Sequence, residues 1–215
     1  MSQEVEAKFY VPDLVGIERR LQALGARCVQ PRTYELNLRF DTPEGDLRRQ
    51  GRVLRLRKDQ EVHLTYKQGR SVEGGIHTRE EIEFALADFD AARRFLEALG
   101  YEVSFIYEKY RTVYLLDQVE IMLDELPYGN FVEIEGEAEA IRSLAARLDL
   151  SLDRAIPLSY HALFEHLRRQ MRFAFRDLLF ENFRSLTVPP EAFEIRSSSA
   201  ESSSRHLRAT RRKHA

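Results

Sequence analysis

One cysteine, no tryptophan and three methionines occur in 215 residues. A lone Cys28 has no partner within the chain, so disulfides contribute nothing and a cysteine-based metal cage cannot be assembled. Cys28 reads instead as a packed small hydrophobe near a helix end. No apolar run approaches the roughly 18 residues needed to cross a bilayer. Met1-Ser2-Gln3-Glu4-Val5-Glu6 also lacks the basic and apolar regions of a signal peptide, so the chain reads as cytoplasmic, with no membrane partner. Neither a Walker loop nor a dinucleotide-binding glycine turn is present, which excludes the P-loop and Rossmann solutions to phosphate binding. What is present is ordinary for a soluble domain, with 43% hydrophobic and 32% charged residues.

The net charge of −2 conceals an uneven distribution. Residues 196–215 hold six basic residues and one acidic one, so the tail carries +5 and the remainder −7. This Ser- and Arg-rich end has almost nothing apolar to bury and reads as a disordered tail. Weak tail contacts are the limit of any expected nucleic-acid binding. The expected division is a domain over 1–165, a helical extension over 166–195 and the tail over 196–215.

Two segments carry helix stop signals. Asp13 can cap a run ending at Gly25, and Asp88 can cap Phe89 to Leu99 before Gly100. Leu21-Gln22-Ala23-Leu24-Gly25 recurs as Leu96-Glu97-Ala98-Leu99-Gly100, 75 positions on, and each helix follows a strand with alternating carboxylates. The halves therefore read as a pseudo-repeat. A third helix is expected over Glu137 to Leu148, and a longer one from Ser159 through Phe164, Leu167, Met171 and Phe175 towards Phe183. The apolar stripe of this last helix reads as a cap on the domain or the contact face of a homodimer. Strands are expected near 2–11, 34–41, 52–58, 61–68, 77–86, 105–116, 118–124 and 130–137. Eight strands with mostly short connections predict an α+β protein built on an antiparallel sheet or a closed barrel.

Residues two apart in a strand point the same way, and here one face is charged on nearly every strand. Glu4, Glu6 and Lys8 oppose Val5, Ala7 and Phe9. Arg55 and Arg57 oppose Leu54 and Leu56, and Thr65 and Lys67 oppose Leu64 and Tyr66. Arg79, Glu81 and Glu83 lie together, as do Lys109 and Arg111. Glu120, Met122 and Asp124 oppose Ile121 and Leu123, and Glu133 and Glu135 oppose Val132 and Ile134. A half-exposed sheet also alternates, but a solvent face mixes its polar residues loosely, and this one repeats Glu, Asp, Arg and Lys. If helices cover the apolar face, the charged side is an open surface or a barrel interior. Interior charges are costly unless paired or met by a ligand. A triphosphate suits the bases, since arginine forks onto phosphate oxygens. The carboxylates, without supporting Cys or His, suit a hard divalent ion, Mg²⁺ or Mn²⁺.

These residues also resemble a known family, the CYTH or triphosphate tunnel metalloenzyme superfamily, which includes class IV adenylate cyclases and thiamine triphosphatases. The resemblance covers about residues 2–165. It begins with Glu4-Val5-Glu6-Ala7-Lys8 and continues in order with Phe40-Asp41-Thr42-Pro43, Leu54-Arg55-Leu56-Arg57, Leu64-Thr65-Tyr66-Lys67, Arg79-Glu80-Glu81-Ile82-Glu83, Lys109-Tyr110-Arg111, Leu123-Asp124-Glu125, Gly129 to Glu135 and Ser159-Tyr160. It implies an eight-stranded antiparallel β-barrel, or triphosphate tunnel, with helices packed outside. It also implies Glu4, Glu6, Asp124, Glu133 and Glu135 as metal-side carboxylates, and Lys8, Arg55, Arg57, Lys67, Lys109 and Arg111 as the triphosphate clamp. Glu81 and Glu83 face the same interior and would orient the bases or a water, completing with Glu4, Glu6 and Lys8 the expected catalytic set. Two departures stand out. Pro157-Leu158 replaces a basic residue before Ser159-Tyr160, with Arg154 a candidate substitute, and Arg39 stands where tyrosine is usual, with Asn37 two residues earlier.

The expected function is thus divalent-metal-dependent phosphoryl-transfer chemistry on a triphosphate (a nucleoside triphosphate, tripolyphosphate or thiamine triphosphate), with hydrolysis leading. One alternative is conversion of ATP to cyclic AMP and pyrophosphate, and another is a non-catalytic polyphosphate or nucleotide binder. A nucleic-acid-binding barrel lacks the interleaved aromatics such a surface needs. His63 lies on the charged face, and His161 and His166 share the late helix. The histidines form no convincing ligand set.

Overall fold

The computed structural model describes residues 2–194. In chain order the elements are β1 (Ser2–Tyr10), α1 (Leu14–Ala23), β2 (Arg27–Asp41), α2 (Asp46–Arg49), β3 (Val53–Lys58), β4 (Val62–Glu73), β5 (Ile76–Leu86), α3 (Phe89–Ala98), β6 (Glu102–Leu116), β7 (Val119–Leu126), β8 (Gly129–Glu135), α4 (Ala138–Arg147) and α5 (Tyr160–Met171). The eight strands close into a barrel in the order β1-β5-β4-β3-β2-β6-β7-β8, and every neighbouring pair is antiparallel. Closure leaves no sheet edge unpaired. Among the described residues no helix is long and apolar enough to cross a membrane. The expected disordered tail lies outside the described residues.

The alternation sorts the side chains. Outward Ala7, Phe9, Ile121, Leu123, Val132 and Ile134 are buried under α1 and α4, which contribute Ile17, Leu21, Ile141, Leu144 and Leu148. Leu38, Phe40 and Leu56 meet Leu96 of α3. The helix ends follow the local signals. Asp13 accepts from the Gly16 amide at 2.9 Å and Asp88 from the Ala91 amide at 2.9 Å. After each helix a glycine takes the left-handed conformation, Gly25 at φ 83° and Gly100 at φ 89°. The following amides, Ala26 and Tyr101, then reach back to the carbonyls of Leu21 and Leu96 at 2.9 and 3.1 Å, closing both ends with the same glycine-dependent motif. The pseudo-repeat is β1–α1–β2 matched with β5–α3–β6. Its equivalent strands meet, since β1 pairs with β5 and β2 with β6.

Three local expectations need correcting. β2 begins at Arg27 and not near residue 34; its first part contains Pro31 and two register shifts, so it shows no clean alternation. Cys28 lies in that stretch and is exposed, not packed near a helix end. The last helix stops at Met171, where Arg172 adopts φ 60°. The apolar residues beyond it continue a helical spacing without being helical. Phe173 and Phe175 stack at 4.3 Å and fold back on Phe164 and Phe183.

Candidate active site

Interior residues of the barrel line one cavity of about 580 Å³. Strand direction gives it two different ends. Where β2 finishes and β5 and β6 begin, α5 lies over the opening: Leu163, Phe164 and Leu167 pack with Phe105, Tyr107 and Phe131, the interior-facing residues at that end. Ser159, Tyr160 and His161 therefore form part of the lining. Ser2, Val29 and Gln30 lie at the opposite mouth.

The lining balances its charges. Eight bases (Lys8, Arg39, Arg55, Arg57, Lys67, Arg79, Lys109 and Arg111) face eight carboxylates (Glu4, Glu6, Glu35, Glu81, Glu83, Glu120, Glu133 and Glu135). Six of the bases touch a carboxylate. Lys8 is 3.0 Å from Glu133, and Lys67 bridges Glu4 and Glu81, the latter at 3.1 Å. Arg55 and Arg57 reach Glu83 at 3.3 and 3.6 Å, and Arg57 also meets Asp59. Lys109 lies 3.1 Å from Asp124 and 3.3 Å from Glu35. Arg111 forks onto Asp124 and reaches Glu133. All six bases of the sequence-predicted clamp are thus brought together with Glu4, Glu81, Glu83, Asp124 and Glu133 of the predicted carboxylates.

Asp124 is fully buried behind Lys109 and Arg111, which with the Tyr160 hydroxyl at 2.8 Å occupy its oxygens. It does not face the cavity. Glu35, absent from the predicted set, completes the clasp from β2. Burial alone would raise its pKa, but Lys109 and Arg111 hold it down to about 2. A buried carboxylate with two cations is sustained by that pairing.

Two groups of charges lack a counter-ion. Register places Glu6 opposite Glu135 and Glu135 opposite Glu120, three like charges in a row across β1, β8 and β7. Among the described residues none has a cation within 4 Å. Burial, then Glu4, Glu6 and Glu120, push Glu135 up to about 8; burial and Glu133 push Glu6 up as well. Two bases are left over as well. Among the described residues Arg39 and Arg79, the latter opposite Glu4 in register, line the cavity with no carboxylate within 4 Å, and the Arg39 guanidinium meets His161 Nδ1 at 3.1 Å. Burial and the charges of Arg79 and Arg55 bring Arg39 down to about 10. Burial and Arg39 likewise push His161 down to about 3, so it meets Arg39 as a neutral ring.

Some residues lie away from this arrangement. Arg154 does not replace the missing base before Ser159; it is exposed outside the barrel, 4.0 Å from Glu194. His63 leans on Arg57 at 3.2 Å. Asn37 is fully buried, and neither atom of its side-chain amide has a hydrogen-bond partner among the described residues. Beyond the predicted set, Glu35, Arg39, Arg79, Glu120, Tyr107 and Tyr160 also line the cavity. Their signal was parity with the charged positions of their own strands, or, for Tyr160, proximity to the Ser-Tyr pair.

A closed antiparallel barrel of eight strands, filled with ion pairs and capped at one end by a helix, defines the charged-tunnel class of β-barrel proteins. The chain belongs to the CYTH domain family, which residues 2–158 match. It is 30% identical over 173 residues to a protein of Aeromonas hydrophila named adenylate cyclase CyaB, covering 75% of this chain and 88% of that one. It is 27% identical over 169 residues to a candidate adenylate cyclase of Methanocaldococcus jannaschii, covering 73% and 95% of the two chains. A solved Pyrococcus horikoshii protein superposes with a TM-score of 0.64 at 28% identity, covering 75% of this chain and 98% of that one.

Proposed function

We propose that the protein is a divalent-metal-dependent enzyme that cleaves a triphosphate by phosphoryl transfer to water. The observation that carries this reading is a cavity lined by eight bases and eight carboxylates in which, among the described residues, Glu6, Glu120 and Glu135 have no cation and Arg39 and Arg79 no carboxylate within 4 Å. A polyanion alone would leave the lining strongly negative, and a cation alone would leave it positive. A triphosphate with a metal matches both groups.

Glu6 and Glu135 fit a hard divalent cation. They are oxygen donors facing each other across β1 and β8, without a cation of their own. Among the described residues no three such groups already converge in ligand geometry. Glu4 and Glu133 adjoin the pair but are engaged by Lys67 and Lys8. Mg²⁺ or Mn²⁺ held there would supply charge neutralisation and activation of the nucleophile. The chain's own residues do the rest. Arg55, Arg57, Lys67, Lys109 and Arg111 position the phosphate chain and stabilise charge on its oxygens. Asp124 and Glu35 hold Lys109 and Arg111 in place, and Glu81 and Glu83 do so for Lys67 and Arg55. Water is favoured as acceptor because most of the lining is charged, its aliphatic and thioether members being Val29, Val53, Val113 and Met122, and because its aromatic rings, Tyr107, Tyr160 and His161, lie at the α5 end and not at the opposite mouth among the described residues. The names of the relatives favour a second reading, conversion of ATP to cyclic AMP and pyrophosphate, in which a ribose hydroxyl replaces water.

Product analysis with ATP, tripolyphosphate and thiamine triphosphate, each with Mg²⁺, Mn²⁺ or chelator, tests the reading. Metal-dependent phosphate release is expected. Cyclic AMP would move the assignment to the cyclase, and tripolyphosphate binding without turnover of any substrate would leave a binding module. Glu4→Gln combined with Glu6→Gln is expected to lower turnover about 100-fold or more with the circular dichroism spectrum retained; wild-type activity would overturn the carboxylate assignment.

A further inference from the structure

A second cavity, of about 420 Å³, lies outside the barrel against its α5 end, between the β2–α2 connection, the start of β6 and α5. Arg39 and His161 line both cavities and form the partition between them. We infer that the outer cavity is a second anion site, taking a free tetrahedral oxyanion such as inorganic phosphate, and that Arg39 links its occupancy to that of the barrel. The site itself stands apart from the triphosphate reading, whereas its link to the barrel rests on that reading.

Three guanidinium groups reach this cavity from separate elements, Arg39 from β2, Arg48 from α2 and Arg168 from α5. All three act on one imidazole. Burial and the charges of these arginines push His161 down to about 3, so the ring is neutral. Its Nδ1 accepts from Arg39 at 3.1 Å, which leaves the proton on Nε2 as a further donor. The carboxylates of the lining do not cancel this group. Asp41 spends its oxygens on the amides of Thr42, Leu47 and Arg48, at 2.9, 2.8 and 3.1 Å. Glu165 meets Arg168 at 2.8 Å, Arg176 is held by Asp177 at 3.4 Å, and Glu44 and Glu102 are exposed. Among the described residues neither Arg39 nor Arg48 has a carboxylate within 4 Å. A carboxylate ligand is planar and fills one guanidinium fork. A tetrahedral oxyanion presents oxygens in several directions and meets donors that arrive from different sides. The proposed reaction supplies such an ion in inorganic phosphate. Because Arg39 stands between the cavities, an oxyanion outside neutralises charge that a polyanion inside would otherwise meet, and the two ligands weaken each other.

Titration calorimetry with inorganic phosphate, sulfate and acetate, in chelator, tests the site. Phosphate and sulfate are expected to bind wild-type protein, with acetate about 10-fold weaker or more. Arg48→Gln and Arg168→Gln leave the barrel lining intact and are each expected to weaken phosphate about 10-fold, with part of the loss recovered in Arg48→Lys and Arg168→Lys. Arg94→Gln, which removes an exposed charge from α3, is expected to leave phosphate binding unchanged. Circular dichroism spectra of the ligand-free variants should match wild type. Phosphate binding untouched by both outer substitutions would place the ion in the barrel and overturn the inference. Equal weakening by Arg94→Gln, or no binding to wild-type protein, would overturn it as well. For the link, adenosine 5′-(β,γ-imido)triphosphate is titrated in Mg²⁺ at rising phosphate. Its Kd is expected to rise about 5-fold in wild-type protein and then level off, and to change less than about 2-fold in Arg48→Gln. A rise without limit, shared by both proteins, is competition inside the barrel and overturns the link. If wild-type protein binds neither this nucleotide nor tripolyphosphate, the triphosphate reading fails, and the phosphate titration alone decides the outer site.

Discussion

Glu35 shows how much a single side chain carries in this interior. It is 1% exposed and stands between Lys109 and Arg111. Removing the carboxylate leaves two buried cations sharing Asp124, so Glu35→Gln is expected to lower unfolding free energy by about 3–5 kcal/mol in urea titrations. The pH dependence has a definite sign. A carboxyl lowered from 4.5 to about 2 on folding contributes stability that is present above pH 4.5 and lost as pH falls towards 2. The wild-type stability should therefore decline more steeply across that window than the variant's. Parallel slopes would show that Glu35 is not the ionised partner. The charged positions of β1, β3, β5 and β8 could be read directly because Glu, Arg and Lys repeat there at every second residue. Glu35 escaped because the uncharged Asn37 separates it from Arg39, so charges do not repeat at every second residue on that face of β2.

At the scale of elements, α5 decides the shape of the cavity. Ser159 caps it, accepting from the Ala162 amide at 3.3 Å, and its apolar stripe enters the barrel end instead of lying on the outer wall as α1 and α4 do. Phe164 is fully buried, with Phe105, Phe173 and Phe175 around it. Phe164→Ala is expected to cost about 3–5 kcal/mol, read by chemical denaturation. Phe95→Ala on α3, where the ring is 63% exposed, should stay within about 0.5 kcal/mol. Similar losses at the two sites would mean that α5 does not seal the barrel. Helix starts and glycine stops were legible because capping is a contact between residues three or four apart. The true end of α5 was not, since Phe173 and Phe175 continue a helical spacing while being held by tertiary contacts with Phe164 and Phe183.

For the whole molecule, charge balance ties metal and substrate together. With eight bases against eight carboxylates in the lining, each ligand improves the site for the other. Mg²⁺ and tripolyphosphate together should raise the melting temperature by more than the sum of their separate effects, since only a ligand bound to the folded state stabilises it. Chelator should abolish the excess. Strictly additive shifts would argue against adjoining sites. The pseudo-repeat acts at this scale too: equivalent strands meet at the β1–β5 and β2–β6 seams, so two strand–helix–strand units close one barrel without an edge.

By itself the sequence determined the alternation of charged and apolar faces, the helix caps, the turns and the number of strands, because all of these follow from residues near one another along the chain. Tertiary structure decided which acid meets which base, because pairing across a barrel depends on strand order and stagger. Glu6, Glu120 and Glu135 become a row of like charges only when β1, β8 and β7 lie side by side in their observed register. Arg39 and Arg79 come from strands that are not neighbours, and only closure of the barrel brings both into one cavity. Which charges remain uncompensated is a property of the assembled interior, and no local pattern encodes it.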